Sequence, residues 1–142
     1  MESPAEIVTA FLAEWGKSRA ELIGAIRKYF TDSTVFENIG IVTTTGKEEA
    51  VDLINLYADT SLLDTVQIDM LNLAEVDGKV LTERLDTLWT ASGDKISEHR
   101  LMGIFEVAGD KIVAWRDYFD TRPVPEGIIA PSEALPRPGR WN

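Results

Sequence analysis

The sequence predicts an α+β domain in which helices cover one face of a strongly curved sheet. Three observations point there. Capped, helix-periodic segments are confined to roughly the first sixty residues. From Asp64 onward the apolar spacing changes to period two. The long strand candidates that follow are joined by Asp77-Gly78, Ser92-Gly93-Asp94 and Gly109-Asp110, the residue types that tight hairpins require.

The first helix is announced by Ser3-Pro4-Ala5-Glu6, which has capping-box spacing with proline at the first helical position. Ile7, Phe11, Leu12 and Trp15 then recur at helical intervals. Ser18 and Glu21 repeat the cap spacing ahead of Leu22, Ile23, Ile26 and Phe30, a second helix. TVFENI, residues 34–39, alternates briefly as a short strand, and Gly46 ends the loop after it. A third helix runs from Lys47 to near Thr60, carrying Val51, Ile54, Leu56 and Tyr57.

Four strands complete the domain: VQIDMLNLAEV, KVLTERLDTLW, ISEHRLMGIFEV and KIVAWRDYF. With three short turns between them they form an antiparallel meander. One domain is thus expected over residues 1–120, with a proline-rich tail over 121–142. The tail holds five of the six prolines and cannot extend the sheet. A cavity is expected between the helices and the concave face, suited to a small apolar ligand.

Composition removes several function classes. A net charge of −10 argues against nucleic acid as a partner, because phosphate contacts need clustered Lys and Arg. With no cysteine there is no disulfide, thiolate metal site or cysteine nucleophile. The single histidine, His99, cannot form a two-histidine metal motif. No metal or cofactor is expected. The first residues lack a basic n-region and an apolar h-region, and no apolar run is long enough to cross a membrane, so a cytoplasmic protein is expected.

Strand parity identifies the candidate chemistry. In KVLTERLDTLW one face carries Val80, Thr82, Arg84, Asp86 and Leu88, and the other carries Leu81, Glu83, Leu85, Thr87 and Trp89. In KIVAWRDYF, Val113, Trp115, Asp117 and Phe119 lie together while Arg116 and Tyr118 point away. In the third long strand His99, Leu101, Gly103, Phe105 and Val107 share a face. Arg84, Asp86 and Asp117 therefore sit in apolar, inward rows. A buried ion pair that fixes the fold is one explanation. Stability alone does not call for three such groups, since apolar replacements of buried ion pairs are often neutral or stabilising. An arginine between two carboxylates can instead hold one ionised as a base and the other protonated as an acid. His99 is read either as a pocket group that meets a polar atom of the substrate or moves a proton, or as a strand-end histidine bonded to Glu98 or solvent. Trp89 and Trp115 are read as core or pocket wall rather than as stacking platforms. The outward face, with Met102, Ile104 and Trp89, predicts a homodimer through the sheet.

With LTERLDTLW, RLMGIFEV and GDKIVAWRDYFD in hand, the chain resembles the limonene-1,2-epoxide hydrolase family over residues 5–120. That family sits within the wider group of nuclear transport factor 2, ketosteroid isomerase and SnoaL-like polyketide cyclases. The resemblance implies a cone-shaped NTF2-like fold with a mixed, mostly antiparallel sheet. It also implies that a water molecule and a small hydrophobic epoxide are the reactants, with no cofactor. The family's catalytic Asp-Arg-Asp set falls on Asp86 as acid, Arg84 as bridge and Asp117 as base. Asn38 matches the asparagine of the family's T-x-Y-x-N pattern, whereas Phe36 stands where the tyrosine would be. Phe36, Leu88, His99, Leu101, Trp115 and Phe119 are the expected substrate-binding residues. A cyclase or isomerase, or a binding domain without catalysis, shares the same cone and is the alternative.

Overall fold

The computed structural model describes residues 2–121 of the chain. Nearly all of the predicted tail lies outside these residues. Three helices pack on one face of a six-stranded mixed sheet: α1 (Pro4–Trp15), α2 (Arg19–Tyr29), β1 (Phe30–Asn38), β2 (Val42–Thr45), α3 (Lys47–Ser61), β3 (Leu63–Val76), β4 (Lys79–Thr90), β5 (Lys95–Ala108) and β6 (Lys111–Tyr118). The strand order is β2-β1-β6-β5-β4-β3, antiparallel throughout except for the parallel β1–β6 pair.

The helix signals work as local chemistry predicts except at Ser18, at Leu56 and at Phe30, which opens β1 instead of ending α2. At the start of α1, the Ser3 hydroxyl accepts a hydrogen bond from the Glu6 amide at 3.2 Å, with proline in the first turn. Ser18 occupies the equivalent position before α2 but caps nothing with its side chain. Gly46 precedes α3 at φ 86°, and any β-carbon there would press on the backbone of Asp32, so glycine is required by both torsion and space. In α3, Val51, Leu53, Ile54 and Ala58 turn inward. Leu56 does not, because two residues beyond Ile54 lies past half a helical turn, and it is exposed.

The core is aromatic. Phe11, Trp15, Phe30, Phe36, Phe105 and Trp115 meet between the helices and the concave face, each buried. Phe36 of β1 stacks on Trp115 of β6 at 4.4 Å between ring centroids, and Trp115 stacks in turn on Phe105 of β5 at 4.8 Å. Such buried aromatic groups each contribute on the order of 1.5–3 kcal/mol by leaving water.

The meander keeps the predicted parity along most of its length. Val80, Thr82, Arg84 and Asp86 are buried in β4, and Ser97, His99, Leu101, Gly103 and Phe105 in β5. Val113 departs from it. The β5–β6 register shifts between Glu106 and Val107, so Ile112 takes the buried place and Val113 is half-buried, before Trp115 and Asp117 restore the inward row. Trp89 is neither core nor pocket wall. It is half-buried, and its indole N–H donates to Gln67 Oε1 at 3.2 Å. The stretch between TVFENI and Gly46, expected as loop, holds the strand β2, which pairs with β1 through Val35–Asn38. No helix among the described residues is long and apolar enough to cross a membrane.

Candidate active site

The sheet brings together groups that are far apart in sequence. Thr82 of β4 faces Gly103 of β5, and Gly103 faces Asp117 of β6. Arg84, on the same row as Thr82, reaches from β4 over β5 to β6. It can do so because position 103 has no side chain. A β-carbon there would stand inside contact distance of both Asp117 Oδ1 and Arg84 Nη1.

Arg84 has no exposed surface. Its Nε donates to Asp86 Oδ1 at 3.2 Å and its Nη2 to Asp86 Oδ2 at 2.9 Å, a two-point clamp. The same Nη2 donates to Asp117 Oδ2 at 2.9 Å, and Nη1 donates to the Thr82 hydroxyl at 2.9 Å. The other oxygen of Asp117 accepts the indole N–H of Trp115 at 2.7 Å. The guanidinium also lies 5.7 Å from the ring centroids of Phe105 and Trp115.

The electrostatics follow from burial and from these partners. Burial pushes the Asp117 carboxyl above the usual carboxylate range, and the neighbouring Asp86 adds to the push, while Arg84 and the Trp115 N–H oppose it. Burial also works against the charge on Arg84, but Asp117 and Asp86 outweigh it and keep the guanidinium firmly protonated. One positive charge faces two carboxylates, and all three groups are buried. A single additional proton on the carboxylate pair makes the cluster neutral, the least costly state for a buried set of charges.

The cluster forms part of the wall of a cavity of about 110 Å³ between the helices and the sheet. Asp86, Asp117 and Asn38 line it, as do Phe36, Leu88, His99, Leu101, Trp115 and Phe119. Arg84 does not; it sits behind the carboxylates. Asn38 is the neighbour of Asp117 across the parallel β1–β6 pair, just as Phe36 is the neighbour of Trp115. Helix α3 contributes Tyr57, whose phenol is pushed up to about 12 by burial and stays un-ionised.

His99 lies on the cavity wall and meets Ser97 rather than Glu98. Its Nε2 is 3.0 Å from Ser97 Oγ, and its ring packs against Phe119 at 4.9 Å between centroids. Burial lowers its pKa, an effect that Asp86 and Asp120 only partly offset. Sequence reasoning missed Ser97, which shares the inward row two residues before His99, and the structural need for Gly103 and Thr82. It also missed that Trp115, beyond being a wall, donates to Asp117. A glycine in the middle of an inward strand row was the available signal for the crowding at position 103. Among the described residues, no three His, Asp or Glu side chains gather as a metal ion would require.

The limonene-1,2-epoxide hydrolase catalytic domain matches the chain over residues 2–128. The chain belongs to the limonene-1,2-epoxide hydrolase family. Among solved structures, a limonene-1,2-epoxide-hydrolase-like epoxide hydrolase from M. tuberculosis is similar at TM-score 0.63 and 23% identity, covering 79% of this chain and 81% of that one. An NTF2-like protein of unknown function from Cytophaga hutchinsonii is similar at TM-score 0.63 and 16% identity, over 87% of this chain and 95% of that one. A Jannaschia protein named for its likeness to SnoaL-like polyketide cyclases matches at TM-score 0.65 and 15% identity, over 82% and 85%. At these identities the neighbours speak to the fold, which is NTF2-like.

Proposed function

We propose that this protein is an epoxide hydrolase that adds water to a small or medium hydrophobic epoxide and releases a vicinal diol. The observation that carries the reading is the single nitrogen Nη2 of Arg84, which donates at 2.9 Å to one oxygen of Asp86 and to one of Asp117. Both carboxylates line the cavity. In the reaction Asp117 takes a proton from water as the water oxygen bonds to an epoxide carbon. The ring C–O bond breaks, and its oxygen takes a proton from Asp86. Arg84 holds the two carboxylates at fixed separation and compensates whichever one is ionised. The pair ends the step with protonation states exchanged, so one proton returns from Asp117 to Asp86 before the next turnover. Asn38, beside Asp117, would help to hold the water.

The raised pKa of Asp117 favours the shared proton on Asp117 at rest, so the reactive state is the one in which that proton has passed to Asp86. The Asp117 carboxylate then takes a proton from water more readily. Each acid–base partner contributes roughly a hundredfold or more, and holding water against the epoxide supplies much of the rest. The apolar walls strengthen electrostatic interactions inside. A cyclase or isomerase on this fold needs one carboxylate base and a donor for an enolate oxygen. Two carboxylates on one guanidinium suit simultaneous proton removal and delivery better.

The test is product analysis of purified protein with cyclic and aliphatic epoxides, terpenoid and larger, beside Asp117→Asn. Diol from the wild type alone is the expected result. No diol from any epoxide would move the assignment to the cyclase, isomerase or binding readings, and equal diol from both proteins would remove Asp117 as the base. We also propose a homodimer through the outer sheet face, where Met102 and Tyr118 are exposed. Light scattering coupled to size exclusion should then give twice the chain mass at micromolar concentration, and a monomer would contradict it.

A further inference from the structure

The proposed reaction leaves a second polar pair in the cavity unused. Ser97 and His99 follow one another on the inward row of β5, opposite Leu88 and Asp86 of β4. Both line the cavity, and both are about nine-tenths buried or more, with exposures of 7% and 9%. His99 Nε2 meets Ser97 Oγ, while His99 Nδ1 is buried with no hydrogen-bond partner among the described residues.

A neutral imidazole carries one N–H and one bare nitrogen. Burial favours that neutral form in His99. With the proton on Nδ1, Ser97 donates to Nε2 and a buried N–H is orphaned, the rarer and costlier case. With it on Nε2, the pair offers a hydroxyl proton that a ligand can take up and leaves only a lone pair buried. A ligand acceptor at Ser97 therefore selects the form with the proton on Nε2, which donates to Ser97 Oγ. Ser97 is then the acceptor of that bond, and its own hydroxyl proton has no acceptor among the described residues. A buried hydroxyl donor on a largely apolar wall is costly until a ligand atom accepts from it.

From this pair we propose that Ser97, oriented by His99, is a specificity residue that donates a hydrogen bond to a second oxygen of the substrate. The inference rests on the hydrolase reading and narrows it to oxygenated epoxides, in which a carbonyl, ester or ether oxygen lies apart from the ring oxygen. The register sets the spacing. Asp86 faces His99, so Ser97 is its diagonal neighbour, roughly 7–8 Å away along the backbone and somewhat less between side-chain origins. A second oxygen across a terpenoid-sized ring falls in that range, and one on the adjacent carbon does not. Leu88, Ile96 and Phe119 wall the space for the carbon skeleton in between.

The test compares two cyclic epoxides that differ only by a distant ketone in place of a methylene. The readout is the ratio of their kcat/KM values in wild type, Ser97→Ala and Ser97→Thr. Ser97→Ala should lower the ketone-to-methylene ratio roughly five- to tenfold, and Ser97→Thr, which keeps the hydroxyl, should restore most of it. An equal ratio in wild type and Ser97→Ala overturns the proposal. Absence of turnover on either epoxide marks the failure of the hydrolase reading instead. Dissociation constants for the matching unreactive ketone and hydrocarbon, followed by tryptophan fluorescence, then decide the role of Ser97. A ketone preference that Ser97→Ala reduces supports it, and an unchanged preference overturns it.

Discussion

Two polar clusters share the concave face of the sheet, one built on β4 and β6 and the other on β5 between them, and they are satisfied to different degrees. In the Arg84–Asp86–Asp117 cluster both oxygens of each carboxylate accept at least one hydrogen bond. In the Ser97–His99 pair Nδ1 has no partner, and one donor is left over whichever ring nitrogen carries the proton. The first cluster has its geometry fixed by the fold before a ligand arrives. The second is completed by what enters the cavity. Changes in the first should therefore remove chemistry or stability, and changes in the second should alter selectivity.

The largest effect is expected from breaking the charge balance of the first cluster. Arg84→Met leaves Asp86 and Asp117 buried without their cation. Urea unfolding should give a loss of about 3–5 kcal/mol, partly relieved at acidic pH where both carboxyls are protonated. A loss below about 1 kcal/mol, the range of an exposed ion pair, would mean that solvent reaches the cluster freely.

Gly103→Ala should come next. Its methyl group must displace Asp117 or Arg84, so turnover should fall at least a hundredfold. The stability cost should be about 1–3 kcal/mol, as for an overpacked core. Near-normal turnover would mean that Arg84 need not reach Asp117 across β5.

A third effect concerns pH. The raised pKa of Asp117 means that the folded chain holds this proton more tightly than the unfolded chain. The resulting stability is fully present below the ordinary carboxylate range and is lost as pH rises through the folded-state value. Activity runs the other way, because the base must be ionised. Trp115→Phe removes a donor that favours the ionised form, so the acid limb of the pH–rate profile should move to higher pH. An unmoved limb would assign that limb to a different group.

The smallest effect is a gain. Phe36→Tyr adds a hydroxyl to the residue stacked against Trp115, two positions before Asn38. One added hydrogen bond to the reacting water should raise kcat roughly fivefold. A fall in kcat with unchanged stability would place the water elsewhere in the cavity.

Much of this site was legible because period-two parity is a local property. It put Arg84, Asp86 and Asp117 on inward rows, and they are buried there. Parity failed at Val113, where a register shift adds a residue that spacing alone does not reveal. The strand β2, Val-Thr-Thr-Thr, is too short to show alternation, and it forms because β1 offers it an edge. That β1 lies parallel to β6, setting Asn38 beside Asp117, is a long-range pairing with no local signal. Gly103 was visible as a glycine, but the reason for it depends on two side chains from other strands. Ser97 was hidden for a simpler reason: a lone serine in a strand has no distinguishing chemistry until its partner and its burial are known.

The most direct measurement is a single turnover in oxygen-18 water, with wild-type protein in excess over an epoxide that it hydrolyses. Direct attack by water activated at Asp117 predicts one labelled oxygen in the diol from that first turnover and no label in the protein. An unlabelled diol, with the heavy oxygen retained on a carboxylate of Asp86 or Asp117, would reveal a covalent ester and contradict the one-step acid–base mechanism.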